Sequence, residues 1–125
     1  FLSFAEYIAA EGNRDIMLCE RGILPLGKGK SYTRYTFDIA AVPAIQKETF
    51  LPVLADPSHA AGRRDLILSL SAAAVAAGAD GLMIETHTDP GASPVDSQQM
   101  VTPEELANVI STCRDVHRVI ASSAG

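Results

Sequence analysis

Ionisable and polar residues directly follow three short apolar segments of this chain. They are Glu20 and Arg21 after residues 16–19, Asp56, Ser58 and His59 after residues 52–55, and Glu85 and His87 after residues 81–84. The apolar segments have the length of buried strands, and α/β proteins bind their ligands at the carboxyl ends of such strands. Scattered loop polarity is the alternative, but it does not explain the same placement at three strand ends.

Two of these side chains, together with Asp96 from the loop beyond the third apolar segment, have the chemistry of a metal site. Glu85 ends an apolar segment, so its carboxylate needs a cation, a proton or a metal as partner. His59 alone is equally well explained as a hydrogen-bonded loop histidine, and Asp96 alone as a solvated carboxylate. Together they supply an imidazole and two carboxylates, a donor set that suits Mn, Fe, Co or Zn. We therefore predict that His59, Glu85 and Asp96 converge on one divalent ion.

Arg21 is the candidate for binding an anionic substrate. A guanidinium at a strand end, next to a glycine-rich loop, is suited to a bidentate phosphate contact. The alternative is a salt bridge between Arg21 and either Glu20 or Asp38. Arg63 and Arg64 are further phosphate candidates, although we expect at least one of them to be solvated.

Hydrophobic periodicity predicts four helices that alternate with three strands. The predicted helices cover residues 2–10, 39–47 and 65–77 and a long segment from 103, and the predicted strands cover 16–19, 52–55 and 81–84. Residues 22–33 are predicted to form a loop, with the basic residues Lys28, Lys30 and Arg34 in or beside it. Residues 122–125 are expected to fray.

Several residues mark the predicted helix ends. Thr102, Pro103 and Glu105 form a capping-box pattern, Gly78 suits the position after a helix, and Asp38 suits an N-cap. Pro43 fits its helix only in the first turn or at a kink.

The strands are apolar on both faces, which is typical of a parallel sheet covered by helices. Strand ends near residues 19, 55 and 85 give a period that suits a (β/α)8 barrel or a doubly wound sheet. No G-x-G-x-x-G motif follows a strand, which disfavours a dinucleotide-binding sheet. A complete barrel needs roughly 250 residues. The 125 residues therefore predict an α/β fold that is a partial TIM (β/α)8 barrel, about its last three β/α units.

Composition narrows the functional classes. The chain is 47% hydrophobic and 20% charged, with a net charge of −5 and no basic stripe, which argues against nucleic-acid binding. Its longest apolar run is far shorter than a membrane span. Cys19 and Cys113 lack zinc-type spacing, so we expect reduced thiols in a cytoplasmic protein. Because residue 1 is Phe, we expect the chain to begin at a cut end.

Four separated motifs resemble 3-deoxy-7-phosphoheptulonate (DAHP) synthase in its type I beta form. The motifs are Leu-Cys-Glu-Arg-Gly at 18–22, Asp-Pro-Ser-His with Gly-Arg-Arg-Asp at 56–65, Ile-Glu-Thr-His-Thr-Asp-Pro at 84–90, and Asp-Ser-Gln-Gln-Met at 96–100. The related 3-deoxy-octulosonate-8-phosphate synthase shares the Glu-Arg-Gly strand end. It usually has Ala-Thr-His at the second motif and lacks the Arg-Arg-Asp run.

The resemblance implies a transferase that condenses phosphoenolpyruvate with erythrose 4-phosphate on a divalent metal, the first step of the shikimate pathway to aromatic amino acids. It implies that His59, Glu85 and Asp96 are the catalytic metal ligands and that Arg21 holds the phosphate of phosphoenolpyruvate. It also implies a homo-oligomer in the cytoplasm. The family's cysteine ligand, its Lys-Pro-Arg-Thr segment and a strand lysine have no counterpart in this chain, and Cys19 is not that ligand.

We therefore expect residues 1–125 to be the C-terminal portion of a single barrel domain, without a separate second domain. We expect the isolated chain to be inactive. Two alternatives remain open: an enzyme like the octulosonate synthase, and a non-catalytic barrel fragment that another chain completes.

Overall fold

The computed structural model describes residues 1–25 and 32–123, in which helices alternate with short strands. The α-helices are α1 (Leu2–Ala10), α2 (Ala41–Glu48), α3 (Pro57–Ala61), α4 (Ile67–Ala76) and α5 (Pro103–Ser123). The strands are β1 (Leu18–Glu20), β2 (Val53–Ala55) and β3 (Gly81–Leu82), and short 3-10 helices cover Arg64–Leu66 and Pro90–Ala92. Lys28 and Lys30 lie outside the described residues.

The strands form one sheet in the order β1-β2-β3, and both pairs are parallel. Leu18 lies opposite Val53, and Ala55 lies opposite Leu82. The prediction of adjacent parallel strands is therefore confirmed. The strands are shorter than predicted because pairing stops where β2 ends at Ala55, so Ile84 has no residue of β2 opposite it.

One face of the sheet packs against the helices. Leu18 and Val53 pack with Val42 of α2 and Ala5 of α1 in one buried cluster. Leu82 packs into a second cluster, which contains buried residues of α4 and α5. Because side chains alternate along a strand, Cys19 and Leu54 point to the opposite face, where both are half-buried. The helices thus cover one outer face, as a barrel requires.

The predicted helix ends are largely correct. Pro43 lies in the first turn of α2, where the missing backbone N–H costs no hydrogen bond. Gly78 follows the end of α4 with a positive φ of 98°, as expected for a residue that ends a helix. The backbone N–H of Thr102 donates to Glu105, and that of Glu105 donates to the Thr102 hydroxyl, so the capping box is confirmed.

The apolar side chains of α5 are only partly covered. Val109 and Cys113 are buried, whereas Ile110 and Ile120 remain exposed. The prediction that the chain frays from residue 122 is wrong for Ser122 and Ser123, since α5 extends to Ser123 and both hydroxyls donate to the carbonyl of Val119. None of the described helices is long and apolar enough to cross a membrane.

Candidate metal and phosphate site

A short helix positions His59. Asp56 precedes α3 and accepts a hydrogen bond from the backbone N–H of His59 at 3.0 Å, and Pro57 occupies the first turn. Gly62 ends the helix with a left-handed φ of 63°. His59 therefore lies on a helix, whereas none of the predicted helices covers residues 56–64. The N-cap carboxylate and the proline start a helical turn that five residues are too few to reveal by periodicity.

The imidazole of His59 lies between two carboxylates. Its Nδ1 atom is 2.7 Å from Oδ2 of Asp56, and its Nε2 atom is 3.4 Å from Oε1 of Glu85. The Asp56 side chain is fully buried and that of His59 is 12% exposed. Because Nδ1 faces Asp56, Nε2 is the ring nitrogen directed towards Glu85.

Glu85 is held from two directions. Its backbone N–H donates to the hydroxyl of Ser58 at 3.0 Å, which links the segment after β3 to α3. Its Oε2 atom accepts a hydrogen bond of 2.5 Å from the buried amide of Gln99. The Glu85 side chain is 26% exposed. The two oxygens of the Glu85 carboxylate thus have different neighbours: Oε1 faces His59, and Oε2 binds Gln99.

Asp96 enters the site from the loop between β3 and α5. It has a left-handed φ of 49°, and its Oδ1 atom accepts from the Arg34 guanidinium at 3.0 Å. Arg64 anchors the same loop, because its Nε donates to the carbonyl of Met100 at 2.6 Å and its backbone N–H donates to the carbonyl of Gln98 at 2.9 Å. The loop is therefore held near α3.

The three predicted metal ligands lie together. His59, Glu85 and Asp96 each offer one ligand atom, and these atoms lie within 4.8 Å of one another. An imidazole nitrogen and two carboxylate oxygens at this spacing fit a divalent ion of the Mn, Fe, Co or Zn type. His87 is not part of this group, and its Nδ1 atom accepts the backbone N–H of Asp89 instead.

Arg21 lies beside the same group of residues. Its Nε atom is 3.5 Å from Oδ2 of Asp56, and its side chain is 59% exposed. The bridge of Arg21 is to Asp56 and not to Glu20 or Asp38. Glu20 Oε1 accepts the backbone N–H groups of Gly22 and Asp38, and Asp38 Oδ1 accepts that of Ala41. Arg21 thus has one edge on a buried carboxylate while most of its side chain faces solvent.

Arg63 and Arg64 have local partners. Arg63 forms a two-bond ion pair with Asp65, and this pair raises the pKa of the arginine and lowers that of the aspartate. Arg64 donates to backbone carbonyls, as described above. Neither contact involves the three clustered ligands directly.

Two glycines bring Arg34 into position. A Cβ atom on Gly22 would lie 2.6 Å from Cβ of Tyr35, and one on Gly62 would lie 2.7 Å from Cβ of Arg34. The backbone N–H groups of Arg34 and Tyr35 donate to the last carbonyls of α3, at 2.9 Å each. Hydrogen bonds to Tyr35 and Asp96 raise the pKa of Arg34.

Sequence reasoning assigned no role at the site to three residues that contact the candidate ligands. Asp56 has a detectable signal, because an N-cap aspartate three residues before a histidine places both on one helical turn. Gln99 lies in the Asp-Ser-Gln-Gln motif, but the motif alone did not indicate a role for it. It is only 2% exposed, and this burial results from tertiary packing. Arg34 donates a hydrogen bond to Asp96, which lies 62 positions away in the sequence, so local spacing does not indicate this contact.

Comparison with known proteins identifies the family. A model described as the DAHP synthetase I family matches residues 1–122. The chain belongs to this family. It is 54% identical over 110 residues to the phospho-2-dehydro-3-deoxyheptonate aldolase of Thermotoga maritima. The aligned region covers 88% of this chain and 32% of the relative. It is 32% identical over 120 residues to the 2-dehydro-3-deoxyphosphooctonate aldolase of Alkalilimnicola ehrlichii, covering 87% and 41% of the two chains.

Solved structures show the same fold. The crystal structure of the Thermotoga maritima phospho-2-dehydro-3-deoxyheptonate aldolase matches 95% of this chain and 34% of its own, with 44% identity and a TM-score of 0.89. A truncated form of 3-deoxy-D-arabino-heptulosonate 7-phosphate synthase from the same organism matches with a TM-score of 0.86. The prediction of a partial TIM barrel is confirmed. The chain spans about a third of the length of this curated Thermotoga maritima relative.

Proposed function

We propose that this chain is the C-terminal portion of a single barrel domain of a 3-deoxy-7-phosphoheptulonate synthase, residues 1–125 forming no separate second domain. The observation that carries the proposal is the spacing of the ligand atoms of His59, Glu85 and Asp96, within 4.8 Å of one another at the carboxyl side of the sheet. Arg21 is linked to this group by the buried Asp56, which contacts both Arg21 and His59. A metal ion can polarise the aldehyde of one substrate, and a neighbouring arginine can bind the phosphate of the other.

Each residue has a distinct role in this proposal. His59, Glu85 and Asp96 hold a divalent metal, one of Mn, Fe, Co or Zn, which supplies Lewis-acid polarisation of the aldehyde of erythrose 4-phosphate when it is bound. Arg21 binds the phosphate of phosphoenolpyruvate and orients the substrate for attack. Gln99 holds the Glu85 carboxylate in place, and Ser58 holds the Glu85 backbone. Arg34 holds the Asp96 carboxylate.

The heptulonate reaction is favoured over the octulosonate reaction. Identity to the heptonate relative is 54%, against 32% for the octonate relative. The Asp-Pro-Ser-His and Arg-Arg-Asp motifs point the same way. An octulosonate enzyme is the second candidate, and it differs in the length of the aldose phosphate that it condenses with phosphoenolpyruvate.

Substrate choice in the complete barrel enzyme tests this function. The two substrates contribute one phosphate each and the product retains one, so one inorganic phosphate must leave in each turnover. We expect phosphoenolpyruvate to be consumed and phosphate released with the four-carbon aldose phosphate, and at least tenfold more slowly with a five-carbon one. A preference for the five-carbon substrate would favour the octulosonate reaction, and no turnover with either would refute the synthase assignment.

The isolated chain separates the enzyme from the non-catalytic alternative. We expect it to be inactive in the same assay, because the missing cysteine and lysine of the family have no counterpart among its residues. If the complete enzyme is also inactive while the chain binds a partner polypeptide, the fragment hypothesis is favoured. A homo-oligomer of the complete enzyme, in the cytoplasm, is the form that we expect to be active.

A further inference from the structure

We propose that Asp56 is a positioning residue that sets both the metal-binding tautomer of His59 and the orientation of Arg21. The proposal rests on the proposed function, and it goes beyond it by assigning a single buried carboxylate to the metal ligand and to the phosphate-binding arginine together. Three contacts of Asp56 carry it.

The first contact concerns the helix. Oδ1 of Asp56 accepts the backbone N–H of His59 at 3.0 Å, which fixes the start of α3. This bond also fixes the rotation of the carboxylate, because one oxygen must face that N–H. The other oxygen, Oδ2, is left to face the imidazole.

The second contact concerns the ring. Oδ2 lies 2.7 Å from Nδ1 of His59, and an ionised carboxylate only accepts hydrogen bonds. A neutral ring must therefore carry its proton on Nδ1. The lone pair of the ring then lies on Nε2, the nitrogen 3.4 Å from Glu85. A carboxylate behind a histidine ligand also makes the ring a better electron donor.

The third contact concerns the arginine. The same Oδ2 atom lies 3.5 Å from Nε of Arg21. Asp56 has no exposed surface, so its carboxylate oxygens have these neighbours rather than water as partners. Holding Arg21 at Nε leaves the outer edge of the guanidinium directed away from Asp56, as a bidentate phosphate contact requires.

A substitution at Asp56 separates the contacts. In Asp56→Asn the amide oxygen must still face the backbone N–H of His59, so the cap remains. The amide nitrogen then faces Nδ1 and donates to it, which moves the ring proton to Nε2. Asp115→Asn is the matched control, because Asp115 is an exposed aspartate of α5 that pairs with Arg118 away from the site.

Nitrogen-15 NMR of the histidine rings tests the tautomer directly. In spectra of the neutral ring, we expect His59 of the metal-free wild-type chain to carry its proton on Nδ1. We expect Asp56→Asn to carry it on Nε2 and Asp115→Asn to match the wild type. A wild-type ring protonated on Nε2 would overturn the proposal whether or not the variant folds.

Metal affinity gives a second readout on the same proteins. We expect the dissociation constant for Co²⁺ to rise about 10–100-fold in Asp56→Asn, the usual cost of losing an outer partner of a histidine ligand. A value within twofold of the wild type would overturn the proposal. A wild-type chain with the Nδ1 proton that binds no Co²⁺ would instead contradict the proposed metal site and leave the role of Asp56 supported.

Kinetics of the complete enzyme test the link to Arg21. We expect Asp56→Asn to raise the KM for phosphoenolpyruvate as well as the metal dissociation constant, and Arg21→Lys to raise the KM alone. In the double variant the KM should rise by less than the product of the two single effects, because both changes disrupt one contact. Fully multiplicative effects would show that Asp56 does not orient Arg21.

Discussion

Nε2 of His59 lies 3.4 Å from Oε1 of Glu85, although the two residues belong to different β/α units. Parallel pairing of β2 and β3 brings the ends of these strands together, and the hydroxyl of Ser58 binds the backbone N–H of Glu85. The distance is therefore set by the fold and not by a chance meeting of loop side chains. Predictions about metal binding follow from it.

Removal of the imidazole tests the ligand assignment. We expect His59→Ala to weaken Co²⁺ or Mn²⁺ binding by at least about 100-fold, beyond the range that loss of an outer partner causes. Isothermal titration calorimetry measures the affinity. His117→Ala, which changes an exposed histidine of α5, is the control and should bind as the wild type does. Equal affinities of the two variants would remove His59 from the site.

Gln99 is predicted to support the metal site through Glu85. Gln99→Leu removes the 2.5 Å hydrogen bond to Oε2, so the carboxylate loses a partner that orients it. We expect metal affinity to fall about tenfold. Gln98→Leu changes the neighbouring exposed glutamine and is the matched control. The role assigned to Gln99 fails if the two leucine variants have the same affinity.

Arg21→Lys keeps the charge and loses the planar fork. We expect the KM for phosphoenolpyruvate to rise about tenfold or more in the complete enzyme, since charge-assisted hydrogen bonds contribute about 1.5–3 kcal/mol. Metal affinity should survive, because Arg21 contacts Asp56 and not a ligand atom. Steady-state kinetics and a metal titration measure the two effects separately. Unchanged phosphoenolpyruvate kinetics would remove Arg21 from the substrate site.

Gly22 is predicted to be needed for a close backbone approach. Gly22→Ala places an alanine at a positive φ, which costs about 1–2 kcal/mol. It also adds a Cβ atom that would lie 2.6 Å from Cβ of Tyr35. Overpacking of that kind adds about 1–3 kcal/mol. Gly12→Ala is the control, because Gly12 has a similar φ but no atom within 4 Å of the added Cβ. Urea denaturation should show the larger loss of stability for Gly22→Ala, and equal losses would show that the contact with Tyr35 is unimportant.

The thiol of Cys19 is predicted to ionise late. Burial, followed by the negative charge of Asp56, raises its pKa, and Arg21 only partly offsets this effect. A raised pKa means that the thiol persists to higher pH, so alkylation should begin at higher pH than for a free cysteine derivative. The rate of iodoacetamide labelling against pH, in a Cys113→Ser background, measures this. A midpoint at or below that of the free thiol would contradict the prediction.

The barrel units were predictable because their signals are local. Apolar strands, the Gly78 helix end and the Thr102 capping box each lie within a few residues, and all agree with one parallel fold. The strand bounds were less accurate, since pairing depends on the partner: β3 ends at Leu82 because β2 turns into α3 after Ala55.

The convergence of His59, Glu85 and Asp96 was predictable from their types and positions, but among the residues that contact them only Asp56 has a local sequence signal. Asp-Pro after a strand indicates a stop, and α3 is too short to show helical periodicity. The contact of Arg34 with Asp96 depends on the path of the chain across α3, which Gly22 and Gly62 permit. Such contacts arise from tertiary packing between distant segments.

Anomalous diffraction from crystals of the complete enzyme grown with Zn²⁺ tests the central claim most directly. Data collected on either side of the zinc absorption edge locate the ion without reference to the protein atoms. We expect one ion bonded to Nε2 of His59 and to carboxylate oxygens of Glu85 and Asp96, at about 2.0–2.2 Å. An ion bonded elsewhere in the barrel, or no ion in contact with His59, would contradict the account.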